Sequence, residues 1–261
     1  SLDPRNYLGF GKRDCVPTKL IDTTYLETAS DDALVDYNGD GLPDIAIGRL
    51  PVATREEAAA VVAKILSYEQ NGALHEALLV ADSGEGFDTA SEAVAGLLPA
   101  TLAVQRVFRD HYAGDDQARA ALLGSMNNGP VLVNYIGHGS VGEWRGDLLT
   151  SDAAGGLVNS RFPFFVLMTC LNGFFQDVYA DTLGEALLRA PRGGAVAVWS
   201  SSGLTEPDEQ ILMNKELIRL LFGHESLTLG EAVQRAKAAT NDQDVRRTWI
   251  LFGDPTTRLK Y

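Results

Sequence analysis

From residue 77 onward, short apolar and β-branched runs alternate with segments whose apolar residues recur every three or four positions. The runs are Ala77 to Ala81, Leu102 to Phe108, Val131 to Ile136, Phe164 to Thr169 and Ala195 to Ser200. Between and after them the spacing predicts helices around Ala90 to Leu98, around Asp116 to Met126, from Thr182, after Pro207, and from a capping box at Thr228 and Glu231. Such alternation predicts a mostly parallel sheet flanked by helices, an α/β architecture. Before residue 77 the pattern weakens. Residues 1 to 44 are rich in Asp, Gly, Pro and Asn and read as long loops around short strands. Ile45 to Leu50 then reads as a short buried strand. Thr54 and Glu57 form a capping box for a helix with Ala58, Val61, Val62, Ile65 and Leu66 on one face, ending near Asn71-Gly72. A boundary near Gly72 to Glu76 divides the chain into 1–75, a partial amino-terminal α/β subdomain, and 76–261. Ser1-Leu2-Asp3-Pro4 reads as the middle of a domain.

Two of the apolar runs end on reactive side chains. His138 follows the run at Val131 to Ile136 and Cys170 the run at Phe164 to Thr169. Open α/β sheets place their chemistry just beyond the carboxyl ends of such strands, so both are expected in one crevice. An imidazole beside a thiol favours the thiolate and passes a proton to a departing amine. Gly137 and Gly139 bracket His138 and allow a sharp turn; the Gly139 and Cys170 amides would then face a tetrahedral oxyanion. A buried structural thiol and an ordinary loop histidine would give the same spacing.

Composition narrows the partners. A chain of 261 residues with 45% hydrophobic content can bury a large core. Its net charge of -13 disfavours nucleic acid and anionic lipid and favours a protein or peptide partner. No apolar run is long enough for a membrane-spanning helix, and no signal peptide opens the chain. Cys15 and Cys170 make no disulfide framework, and pairing them would consume the strand-end thiol.

Four blocks, Asp44-Ile-Ala-Ile-Gly-Arg-Leu-Pro51, Gly-His-Gly-Ser at 137 to 140, Cys-Leu-Asn-Gly-Phe-Phe at 170 to 175 and Thr248-Trp-Ile-Leu-Phe-Gly-Asp-Pro255, together resemble the gingipain family of cysteine peptidases, relatives of the caspases. The blocks stand in family order and span nearly the whole chain. The resemblance implies a caspase-like sheet over 76–261, Cys170 as nucleophile, His138 as its partner, and Gly139 with Cys170 as oxyanion donors. It also implies an acidic partner for the histidine after the first strand of the catalytic subdomain, where Asp82 and Glu85 are both candidates. In arginine-cutting members an aspartate at the start of the next helix lines the specificity pocket, and Asp88 looks like its match; a simple helix-capping role would also suit it. The opposite wall falls on Ser201 to Pro207, including Thr205, where this chain lacks the tryptophan of arginine-cutting members. Trp144 falls where the family has a tryptophan after the histidine loop, as a cleft wall or an anchor. The family also implies secretion or the cell envelope, a first strand preceding the segment that matches Ser1, and a prodomain or that amino-terminal segment as a partner.

Asp36, Asn38, Asp40 and Asp44 place oxygen donors at alternating positions, the spacing of a loop that wraps a structural calcium ion, although no glutamate closes it as in an EF-hand. No cofactor is expected for the chemistry itself. His111 reads as a structural or rim residue, His75 and His224 as surface residues. Beside hydrolysis, two other outcomes fit the sequence: a transpeptidase in which an amine resolves the acyl-enzyme, and a calcium-stabilised interaction module with a vestigial pair.

Overall fold

The computed structural model describes residues 7–9 and 16–261. Cys15 therefore lies outside the described residues. In chain order the strands are β1 (Leu20–Asp22), β2 (Glu27–Ala29), β3 (Glu76–Ala81), β4 (Ala103–Phe108), β5 (Leu132–Ile136), β6 (Gly139–Ser140), β7 (Glu143–Trp144), β8 (Phe164–Met168), β9 (Ala197–Ser201) and β10 (Trp249–Phe252). The α-helices are α1 (Arg55–Gln70), α2 (Phe87–Ala95), α3 (Asp115–Asn127), α4 (Ser151–Gly155), α5 (Leu183–Arg189), α6 (Pro207–Leu221), α7 (Leu229–Ala236) and α8 (Gln243–Thr248). The five runs from residue 77 onward become strands of one six-stranded sheet, ordered β10-β9-β8-β5-β3-β4. Five of its strands are parallel, and β10 closes the edge antiparallel to β9.

Every residue of β5, β8 and β9 is buried, so helices cover both faces of the sheet. Phe164, Phe165, Tyr135 and Trp199 are among the largest buried side chains, each stabilising by roughly 1.5–3 kcal/mol relative to exposure. One polar residue interrupts β5. Asn134 exchanges reciprocal amide bonds of 2.8 and 3.1 Å with Asn214 of α6, which satisfies both where neither meets water.

The amino-terminal third differs from its pattern in two places. Ile45 to Leu50 forms no strand; only Arg49 bridges to Phe252 at the sheet edge, while Ile45 is 52% exposed. Arg49 fixes this segment twice: its amide donates to Leu251 O at 2.8 Å and its carbonyl accepts from Gly253 at 2.9 Å, and its buried guanidinium pairs with Asp31 at 2.5 Å. The capping box at Thr54 and Glu57 opens α1, and Asn71 ends it, but the helix turns Val61, Lys64, Ile65 and Tyr68 inward. Val62 and Leu66 face out. The inward face is set by Lys64, whose Nζ donates to the carbonyls of Leu188 and Ala190 at the end of α5, at 2.8 and 3.0 Å.

The chain first lays down β3 and β4, then returns to the other side of β3 to add β5, β8 and β9 in turn. That reversal puts a topological switch point between β3 and β5, where a crevice opens beyond the strand ends.

Candidate active site

Register decides what meets in that crevice. Ile136 pairs with Met168, so His138 and Cys170, each two residues further on, occupy the same position past neighbouring strand ends. The ladder persists one step beyond the strands, with the Gly137 amide donating to Met168 O at 3.2 Å. Neighbouring strands run about 4.8 Å apart, so the two residues stand side by side past adjacent strand ends. Both are partly exposed, and Cys170 is a free thiol. Its Sγ donates to Thr205 O at 3.7 Å.

The glycines around His138 serve close approach rather than unusual backbone angles. Neither has a positive φ. A Cβ on Gly137 would collide with the Cβ of Asp82 and stand 2.6 Å from Tyr135 Oη; one on Gly139 would stand 2.7 Å from Thr169 Oγ1 and 2.9 Å from Glu143 O. The His138 carbonyl accepts from Tyr135 Oη at 2.7 Å and from the Arg145 amide at 2.9 Å, so the loop is held from both sides.

The structure separates the two candidate acids. Asp82 is fully buried and faces the backbone: it accepts from the amides of Ser83 (2.7 Å) and His138 (3.3 Å) and from Arg109 Nη1 (2.8 Å). Arg109 also clamps Asp115, and hydrogen bonds to Asp115 and then Asp82 hold its proton more firmly than usual. Asp82 thus fixes the histidine loop and does not touch the imidazole. Glu85 does, its Oε1 lying 2.9 Å from His138 Nε2. A carboxylate only accepts, so Nε2 carries the hydrogen and Nδ1 is the nitrogen left for proton exchange. Glu85 has φ 51° between Gly84 (76°) and Gly86 (74°). Phe87 then packs edge-on against the imidazole, ring centroids 5.3 Å apart. A Gly-Glu-Gly bracket matching Gly-His-Gly was the sequence signal that singles out Glu85.

Asp88 lies exposed in the first turn of α2, its Oδ1 accepting from the Thr89 amide at 2.6 Å; the N-cap is Gly86, so Asp88 is not the cap. Thr205 is buried after β9, and Gln210, which the sequence reading passed over, donates to both its carbonyl (3.0 Å) and its hydroxyl (2.9 Å). Trp144 is no cleft wall. It is fully buried and stacked on Tyr135 at 3.9 Å, because an indole flanked by β7 and the sheet has nowhere open to point. His111 is exposed and packs against Phe108, and His75 and His224 are exposed.

The Asp36 to Asp44 loop spends its oxygens on its own backbone. Asp36 accepts from Gly39, Asp40 and Gly41, Asn38 from Asp40, Asp40 from Leu42, and Asp44 from Tyr37. Among the described residues no three His, Cys, Asp or Glu side chains gather closely enough to hold a metal ion. These bonds hold the loop as a self-capped turn.

The pattern of peptidase family C25 matches residues 1–260. Gingipain R2 of Porphyromonas gingivalis is 27% identical over 246 residues, 83% of this chain and 33% of that protein. The chain thus spans about a third of that relative. The solved Arg-specific cysteine proteinase gingipain R superposes with a TM-score of 0.81 at 23% identity, over 89% of this chain and 60% of that one. The complex of pro- and mature domains from P. gingivalis superposes at 0.79 and 22% identity, over 88% of this chain and 60% of that one. These structures share the fold: a central, mostly parallel sheet flanked by helices.

Proposed function

The chain belongs to peptidase family C25, and from that premise we propose that it is a cysteine endopeptidase acting through Cys170 and His138. The observation that carries this reading is the shared register position of thiol and imidazole past β8 and β5, with Glu85 on the far imidazole nitrogen. The Cys170 sulfur, having given its proton to His138 Nδ1, attacks the peptide carbonyl. The Gly139 and Cys170 amides donate to the oxyanion. The imidazolium returns the proton to the leaving amine, and water, deprotonated by the same nitrogen, releases the acyl-enzyme. Glu85 orients the ring throughout, as the acid does in other triads. No cofactor enters these steps.

For specificity we propose a basic residue before the scissile bond. Asp88 follows Phe87, which touches the imidazole, and offers a charge-assisted partner for a guanidinium or ammonium; Thr205, whose carbonyl accepts from the Cys170 thiol, is assigned to the same pocket. The Arg specificity of the solved gingipain R supports this direction. The machinery lies wholly within 76–261. A peptide or protein is the partner, a prodomain is a second one suggested by the solved complex, and secretion or the cell envelope is the setting. Among the described residues no helix is long and apolar enough to cross a membrane. A cleavage-site profile on a peptide library tests both claims: cuts after Arg or Lys, lost in favour of other residues in Asp88→Ala, support them. A profile indifferent to that change removes Asp88 from the pocket.

A further inference from the structure

Asn172, two residues past the nucleophile, is fully buried yet saturated with partners from the opposite loop. Its Oδ1 accepts from Trp144 Nε1 at 2.9 Å, and its Nδ2 donates to Ser140 O at 2.5 Å and Glu143 O at 3.4 Å. The orientation is unambiguous: an indole N-H only donates and carbonyls only accept, so the amide fits one way round. All three partners sit on the β6-β7 hairpin that follows His138. Trp144 in turn stacks on Tyr135, whose hydroxyl holds the His138 carbonyl. The main chain of Asn172 is fixed as well, its amide donating to Cys170 O at 2.8 Å and its carbonyl accepting from Gly184 at 2.9 Å.

The sheet ladder ends at Gly137 and Met168, so beyond that step the backbone no longer holds the two loops together. We infer that Asn172, oriented by Trp144, is a positioning residue that locks the Cys170 loop onto the His138 hairpin and so holds thiol and imidazole at reacting distance. The inference rests on the peptidase reading. It adds that the alignment of the pair depends on a side-chain strut rather than on the strands alone. Misplacing reacting groups by about 1 Å costs roughly 10²-fold in rate.

Two variants remove different halves of the strut. Asn172→Asp keeps the acceptor for the indole but sets a carboxylate against two carbonyls. Trp144→Phe keeps the stack on Tyr135 and frees the amide. For both we would measure kcat and KM on a peptide substrate, the rate of Cys170 alkylation by iodoacetamide from pH 5 to 9, and the melting temperature. Asn172→Asp should lower kcat about 10²-fold with KM within threefold, and Trp144→Phe about tenfold. In both, the alkylation profile should move toward that of His138→Ala. Val233→Ala in α7, a buried core control on a helix that packs against α6, should lower the melting temperature and leave the profile alone. Wild-type alkylation profiles overturn the inference; if Asn172→Asp fails to fold, the Trp144→Phe profile alone decides. Cleavage that persists in Cys170→Ala would instead overturn the peptidase reading, while the alkylation profiles still judge the strut.

Discussion

Glu85 and His138, 53 positions apart, meet at 2.9 Å across the switch point between β3 and β5. Glu85 reaches that contact from a left-handed backbone, φ 51°, that a side-chain-bearing residue rarely adopts. Such strain, of order 1–3 kcal/mol, persists where a function depends on it. Leu171, directly after the nucleophile, has φ 62°. Two of the three described non-glycine residues with positive φ therefore abut the proposed pair.

Replacing Glu85 by glycine should separate stability from activity. The fold gains about 1 kcal/mol from relief of backbone strain, while kcat/KM falls about tenfold because the imidazole loses its orienting partner. The pair is half-exposed, which keeps the loss modest. Thermal melting with peptide kinetics reads both; lower stability with full activity would contradict the assigned role.

Asp82 should behave as a structural acid. Asp82→Ala leaves two amides and the Nη1 arm of Arg109 without their buried acceptor, while Asp115 keeps the rest of the guanidinium paired, and should cost about 2 kcal/mol in urea unfolding. A loss confined to activity, with unfolding unchanged, would return Asp82 to the chemistry.

Gly139 and Gly142 lie on the same hairpin and should respond differently to alanine. At Gly139 the new methyl meets the Glu143 carbonyl and Thr169, and the displaced amide should lower kcat by about 10²-fold or more. At Gly142 the nearest atom is the Ser151 hydroxyl at 3.1 Å, which can rotate, so activity should stay within threefold. Equal effects at both positions would argue against an oxyanion role for the Gly139 amide.

Burial pushes the Lys64 ammonium down to about 8 from an ordinary 10.5. Between those values the unfolded chain binds the extra proton, so this group makes stability rise with pH across about 8 to 10.5, by about 3 kcal/mol at full shift. Lys64→Met should flatten that rise in denaturant titrations. Parallel curves for the two proteins would show that Lys64 titrates normally.

The strands β3, β5, β8 and β9 were legible because they are buried on both faces and read as near-continuous apolar runs. His138 and Cys170 were legible for the same reason, since each closes one. Ile45 to Leu50 misled because the segment is held at Arg49 alone, by a single bridge to Phe252 and a buried pair with Asp31, which periodicity does not record. Val62 and Leu66 misled because Lys64, a residue normally assigned outward, turned α1. Asn172 was invisible as a strut because its partners lie 28 to 32 positions back and meet it only once both loops have folded.

Cleavage of a peptide library by wild type, Cys170→Ala and His138→Ala tests the central claim most directly. The geometry predicts that each substitution lowers kcat/KM by at least about 10³-fold with melting temperatures close to wild type. Cleavage surviving in folded Cys170→Ala would contradict it.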